Sequence, residues 1–283
     1  MLLFLVLLLS ALSGVGLCLG VGGFENYGWI WQLPVGFLAG FLVSAGLAFG
    51  ILVLICNSID PDEPREKDSR GFRTMVMWYI QAIITVLPIR VKKQGMEKLP
   101  KEGRYLLVCN HLDNIDPAFL LYAFPKSQLA FIAKKEVRDM FLVGHVLPKL
   151  LCTLIDREND REALKSILRC ISLLKNDEVN IGVFPEGRIN KYRKLAHFRP
   201  GVFKIAQKAN VPIVVCTMRN TNRVIGRLLK GKGSLVDIRL LDVIPAAELQ
   251  SCTTVEISDR VYSLMAADLG PENILTPEEE ENA

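Results

Sequence analysis

Tyr105-Leu106-Leu107-Val108-Cys109-Asn110-His111-Leu112-Asp113-Asn114-Ile115-Asp116-Pro117 decides the fold of this chain. Its first five residues form an uncharged apolar run, which predicts a buried strand. The polar stretch that follows reads as a turn. Pro117 suits the first turn of a helix, where its fixed φ and missing N–H cost nothing. Strand, turn and helix in succession build layered α/β folds. The turn also carries chemistry. Imidazole has the ordinary side-chain pKa nearest neutrality, so His111 can take a proton from an alcohol and pass it on. A neighbouring carboxylate would fix its tautomer and stabilise the cation that forms. Five residues on an ideal helix turn through roughly 140°, so His111 and Asp116 would not share a helix face. They meet if His111 sits in the turn and Asp116 at the helix start. The alternative is a polar turn whose side chains only satisfy backbone groups. One His with two Asp (His111, Asp113, Asp116) is a poor metal set, and no metal is expected. The chain has two other histidines, His145 and His197.

Outward from this turn, apolar runs at residues 129–133, 179–184, 211–218 and 235–241 predict further strands. Residues 160–175 predict an amphipathic helix, with Leu164, Ile167, Leu168, Ile171 and Leu174 at helical spacing and Asn159 with Glu162 as a capping box. A short helix starts at Pro200 and stops at Asn210, and Thr253 with Glu256 caps a last helix reaching Asp268. The expected fold is α/β, a central mixed sheet flanked by helices, over residues 91–270. Residues 271–283 end in an acidic run, Glu278 to Glu281, expected to be a disordered tail.

The start of the chain has a different composition. Mean hydropathy over 283 residues is +0.28, and the excess lies in residues 1–56, where Glu25 is the only charged side chain. Residues 2–22 and 33–55 each approach the ~20 apolar residues that span a bilayer, which predicts a membrane hairpin. A signal peptide fits less well, because the first segment lacks a basic start and a second span follows. Gly16 and Gly20, Gly36 and Gly40, and Gly46 and Gly50 repeat a spacing that lets helices approach closely. Arg65, Lys67, Arg70 and Arg73 follow the second span, and by the positive-inside rule they place that side in the cytoplasm. Residues 57–90 form a linker and then an apolar stretch, 72–87. It fits an interfacial or partly embedded helix, with a core helix as the alternative. Seven cysteines are scattered singly, without zinc spacing, and read as reduced thiols. No nucleic-acid partner is expected.

Three more strand ends deliver charge. Val183-Phe184-Pro185-Glu186-Gly187-Arg188 ends one, Ile155-Asp156-Arg157 another, and Ala133-Lys134-Lys135 a third. Arg forks and Lys point charges recognise phosphate. Each alone also reads as solvated surface charge, but four charged strand ends together point to one site, since ligands of α/β sheets bind there.

In this combination the chain resembles the 1-acylglycerol-3-phosphate acyltransferases of the glycerolipid acyltransferase superfamily. Asn110-His111 through Asp116 matches the family's N-H-x4-D block, Ile155-Asp156-Arg157 is similar to the second block, and Phe184-Pro185-Glu186-Gly187 matches F-P-E-G. Val211-Pro212-Ile213-Val214 resembles the fourth. Two positions depart: Arg188-Ile189-Asn190 stands where the family has Thr-Arg or Ser-Arg, and Val215 where it has a second proline. The resemblance implies a glycerolipid acyltransferase-like fold and transfer of an acyl group from acyl-CoA or acyl carrier protein to the sn-2 hydroxyl of lysophosphatidic acid, without a cofactor. It implies His111 as base, Asp116 as its partner, and Arg157, Glu186 and Gly187 in acceptor binding. Lys134, Lys135 and Arg188 are added on physical grounds as phosphate contacts. Other lysolipid acceptors, a lipid hydrolase or thioesterase, and a non-enzymatic membrane lipid-binding protein are the alternatives.

Overall fold

The computed structural model describes residues 1–282 other than 22, 26, 62, 64, 157 and 158. It divides into a smaller unit, residues 1–62 with 141–146, and a larger one, residues 63–140 with 147–283. The smaller unit is built on α1 (Leu2–Gly20) and α2 (Trp29–Asn57), both long and apolar enough to cross a membrane. Their contact is made by small residues four apart. Val6, Ser10, Gly14 and Cys18 are the buried positions of α1. A Cβ on Gly36 would come 2.9 Å from the Gly14 Cα, and one on Gly40 would come 2.6 Å from the Ser13 Cβ. Gly36 and Gly40 thus lie in the seam, as their spacing predicts. Gly16, Gly20, Gly46 and Gly50 do not, since a Cβ on any of them meets nothing within 4 Å. The expected spacing was right, but on α1 the stripe runs two residues away.

The larger unit begins with α3 (Arg70–Val86) and β1 (Ile89–Gln94), followed by β2 (Leu106–Cys109), α4 (Asp116–Ala123) and β3 (Leu129–Lys134). Next come α5 (Val143–Lys149), whose residues 143–146 belong to the smaller unit, then β4 (Thr153–Ile155), α6 (Asp160–Lys175) and β5 (Asn180–Val183). The chain continues through α7 (Lys204–Ala209), β6 (Ile213–Arg219), α8 (Val224–Leu228) and β7 (Ser234–Ile244). It closes with α9 (Ala246–Leu249), α10 (Thr254–Leu269) and α11 (Pro277–Glu281). The seven strands form one sheet in the order β1-β7-β6-β2-β5-β3-β4. Every pairing is parallel except β6 with β7. Hence β2, β3, β4, β5 and β6 all end at the same side of the sheet. The strand that leads into the His111 turn, β2, lies between β5 and β6 and is buried throughout.

Local signals act as their chemistry dictates. The Asn159 side chain accepts the N–H groups of Arg161 and Glu162 to start α6, although Glu162 turns to Lys165 instead of completing a box. Thr253 and Glu256 form the full reciprocal box on α10, and Asn210 ends α7 in the left-handed region. The 70–86 helix is a packed element of the larger unit. Arg73, Val76, Met77 and Ile84 are buried. Arg73 pairs with Asp68 at 2.8 Å and donates to the carbonyls of Leu129 (2.6 Å) and Leu150 (3.1 Å). Arg73 is therefore a structural clasp rather than a loose juxtamembrane charge. The acidic tail is ordered, contrary to expectation. Leu195 bridges to Ile274, Thr276 and Glu279 cap α11, and Lys194 holds Glu279 at 2.7 Å. Opposite charge on the 188–199 segment supplies the partner that a solvated acidic run lacks.

Candidate active site

Residues 110–116 form the turn that the sequence predicts, and backbone bonds fix it. Asn110 is buried; its amide donates to the Met218 carbonyl at 3.0 Å and accepts the Met218 N–H at 2.7 Å, continuing the β2–β6 pairing by one side chain. His111 then leaves the strand. Asp116, the first residue of α4, is fully buried, and its Oδ2 lies 2.8 Å from the Nδ1 of His111. The same oxygen accepts the N–H groups of Leu112 (2.6 Å) and Asp113 (2.9 Å). Three polar contacts on one carboxylate oxygen leave Asp116 little freedom to turn. The bond occupies Nδ1, so Nε2 is the nitrogen left to exchange a proton with a bound molecule. Phe184 stacks on the imidazole at 4.1 Å between ring centroids, with 14° between planes. The ring is held on one edge by a carboxylate and on one face by an aromatic. Its side chain is 17% exposed, enough for a ligand to reach it.

Glu186 lies one strand away, after β5. It is buried, and its two oxygens accept the backbone N–H groups of His111 (2.8 Å) and Ala196 (3.2 Å). Burial pushes its carboxyl up to about 8, against the opposing pull of those two N–H donors and with a smaller upward push from Asp116. Gly187 follows with φ +77°, and a Cβ there would sit 2.9 Å from the Nε of Arg199. Only glycine suits both the backbone angle and that approach. Arg188, Asn190, His197 and Arg199 then line a cleft of about 330 Å³ together with Glu186 and Glu280.

The remaining site expectations separate. Lys134 is exposed and pairs with Glu136 at 3.0 Å, and Lys135 pairs with Asp156 at 2.7 Å. Both stand at the end of β3, two strands from β2 in the sheet order. Arg157 lies outside the described residues. Among the described residues no cluster of His, Cys, Asp or Glu has metal-binding geometry. Sequence reading overlooked Arg193, which donates to the Leu112 carbonyl at 2.7 Å, and Arg199 over Gly187. A signal for them exists: residues 188–199 hold Arg188, Lys191, Arg193, Lys194 and Arg199 with no acid among them.

Comparison with known proteins fits this geometry. Residues 90–219 match the family model described as Acyltransferase. A Caenorhabditis elegans relative, acl-2, carries a 1-acyl-sn-glycerol-3-phosphate acyltransferase name and is 31% identical over 177 residues, 61% of this chain and 62% of its own. The Bos taurus 1-acyl-sn-glycerol-3-phosphate acyltransferase alpha is 27% identical over 181 residues, 62% of each chain. The chain therefore spans about three fifths of the length of these relatives. The crystal structure of the 1-acyl-sn-glycerophosphate acyltransferase PlsC from Thermotoga maritima superposes with a TM-score of 0.55 at 23% identity, covering 77% of this chain and 88% of that one. That likeness establishes the fold: a mixed seven-stranded sheet with flanking helices. The stretch that matches the acyltransferase family model, residues 90–219, runs from β1 through β6 and includes the His111 turn and Glu186.

Proposed function

We propose that the protein transfers a fatty acyl group from a thioester, acyl-CoA or acyl carrier protein, to the sn-2 hydroxyl of 1-acylglycerol-3-phosphate, giving phosphatidic acid. The observation that carries this reading is the 2.8 Å contact between His111 Nδ1 and the buried Oδ2 of Asp116. An imidazole held in this way accepts a proton at Nε2. The hydroxyl oxygen gives up its proton to Nε2 as it attacks the thioester carbonyl, forming a tetrahedral oxyanion. Collapse of that species breaks the C–S bond, and the imidazolium returns its proton to the departing sulfur. The imidazole ends each cycle unchanged, and thiolate leaves readily enough that no acyl-enzyme is required. No G-x-S-x-G nucleophile motif occurs in the sequence.

Arg188 and Arg199 are assigned to the acceptor phosphate, because both line the cleft that opens beside Glu186. Arg157 keeps the role that the family resemblance implies. Glu186 is reassigned from touching the acceptor to holding the His111 turn, since both its oxygens are engaged by backbone N–H groups. Gly187 shapes the turn that brings Arg199 close. Lys134 and Lys135 are secondary candidates, paired as they are with acids. The hairpin of α1 and α2 anchors the protein in a membrane, where the lysolipid acceptor resides, with the larger unit on the cytoplasmic side. The test is a matrix of acyl donors against lysolipids on the purified protein in lipid discs. Strong preference for lysophosphatidate over lysophosphatidylcholine supports the assignment, and equal use of neutral and phosphate-terminated acceptors refutes it.

A further inference from the structure

One edge of the larger unit carries exposed apolar and basic residues that acyl transfer does not use. Residues 220–236 contain Arg223, Arg227, Lys230 and Lys232 and no acid. Interleaved with these bases, Ile225, Leu229 and Leu235 are 52%, 83% and 51% exposed. The sheet extends the pattern. The Pro88 carbonyl accepts the Ser234 N–H at 2.8 Å, the Arg227 Nε donates to the Gly233 carbonyl at 2.7 Å, and β1 sets Arg90 beside Leu235. Leu87 and Arg90, both exposed, therefore border the same surface. Among the described residues, none of these bases has a carboxylate partner. Farther along β6 and β7 the bases differ: Arg219 and Arg239 are both tied to Asp237 and Asp268.

Large aliphatic side chains beside uncompensated bases suit a lipid interface, where the apolar groups enter the acyl boundary and the bases meet phosphate. A nucleic acid would use the bases but gains nothing from leucine at the tip of a loop. We propose that the edge formed by residues 224–235 and 86–90 is a bilayer-docking surface seated on anionic phospholipid headgroups. It adds a contact beyond the apolar hairpin, and it stands whether or not the acyl-transfer reading is correct.

The experiment uses the full chain in lipid discs. Cys252 is the one cysteine that is not buried, so Cys252→Ser leaves a background for single-site labelling. An environment-sensitive fluorophore is attached in Leu229→Cys, and in Ser263→Cys on the exposed side of α10 as a control. In discs containing phosphatidylserine, the Leu229 probe should shift to the blue and be quenched several-fold more than the Ser263 probe by headgroup-nitroxide lipid. In discs of phosphatidylcholine alone the shift should be absent. Lys230→Glu with Lys232→Glu should abolish it, and salt should weaken it as the screening length falls from about 10 Å at 0.1 M to about 3 Å at 1 M. Equal emission in both lipids, or equal quenching at both positions, overturns the proposal. So does a shift that tracks protein concentration, marking a second copy, or one produced by RNA without anionic lipid.

Discussion

The carboxyl group of Glu186 accepts the backbone N–H of His111 at 2.8 Å and that of Ala196 at 3.2 Å. One buried side chain thus joins the end of β5, the turn after β2 and the basic segment 188–199. In Glu186→Gln one oxygen remains as an acceptor, while an amide N–H faces the other donor. Losing one such bond costs about 1–3 kcal/mol. Steady-state kinetics should therefore show kcat reduced roughly tenfold to a hundredfold, with the KM for lysophosphatidate little changed. A rise in KM alone would mean that Glu186 contacts the acceptor instead.

The same residue makes stability depend on pH. Burial raises its carboxyl from 4.5 to about 8, so the folded chain holds this proton more tightly than the unfolded chain does. The stabilisation is complete below about pH 4.5 and is lost as pH rises through about 8. Thermal unfolding of the wild type should thus lose stability across this window relative to Glu186→Gln, which has no proton to release. Parallel pH profiles for the two proteins would refute the buried-acid description.

Asp116→Asn should be more damaging to turnover than to folding. The carboxylate Oδ2 receives His111 Nδ1 and two backbone N–H groups, and an amide can mimic the shape but not the charge. In triad-type sites such a change costs about 10⁴ in kcat, chiefly by selecting the wrong imidazole tautomer. A fall of on the order of 10³–10⁴, with an unchanged circular dichroism spectrum, is expected. Retention of near-normal kcat would remove Asp116 from the mechanism.

Lys194 and Glu279 offer a charge-swap test of the tail. The pair is about one quarter exposed on each side and fastens α11 to the segment that carries Ala196. Lys194→Glu should lower stability by about 1 kcal/mol, and Glu279→Lys by a similar amount. The double exchange should recover most of the loss in a double-mutant cycle. Additive losses would show that the contact contributes nothing.

Gly187→Ala combines a left-handed φ of +77° with a Cβ placed against Arg199. Destabilisation of about 1–3 kcal/mol is expected, read as a lowered denaturation midpoint, together with a raised KM for lysophosphatidate as Arg199 is displaced. An unchanged midpoint would contradict the described turn.

Much of this architecture is legible in the residues. The strands at 106–109, 180–183 and 213–219 are mostly apolar and buried almost throughout because central strands are covered on both faces. One strand leaves no such trace: β1 reads Ile-Arg-Val-Lys-Lys-Gln because it is a half-exposed edge. β4, only three residues long, shows just as the strand end before Asp156. The His111–Asp116 pair was legible because both lie in one short turn. The role of Glu186 was not, since its partners are backbone N–H groups 75 and 10 residues away. Tail order escaped for a related reason: an acidic run reads as solvated until its cationic partner is placed beside it.

The most direct test of the central claim is acyl transfer by His111→Ala in lipid discs, with lysophosphatidate and a labelled acyl thioester. Removing a positioned general base should cost about 10²–10⁴ in rate while the protein stays folded and bound to the discs. Transfer at close to the wild-type rate by that folded variant would contradict the account.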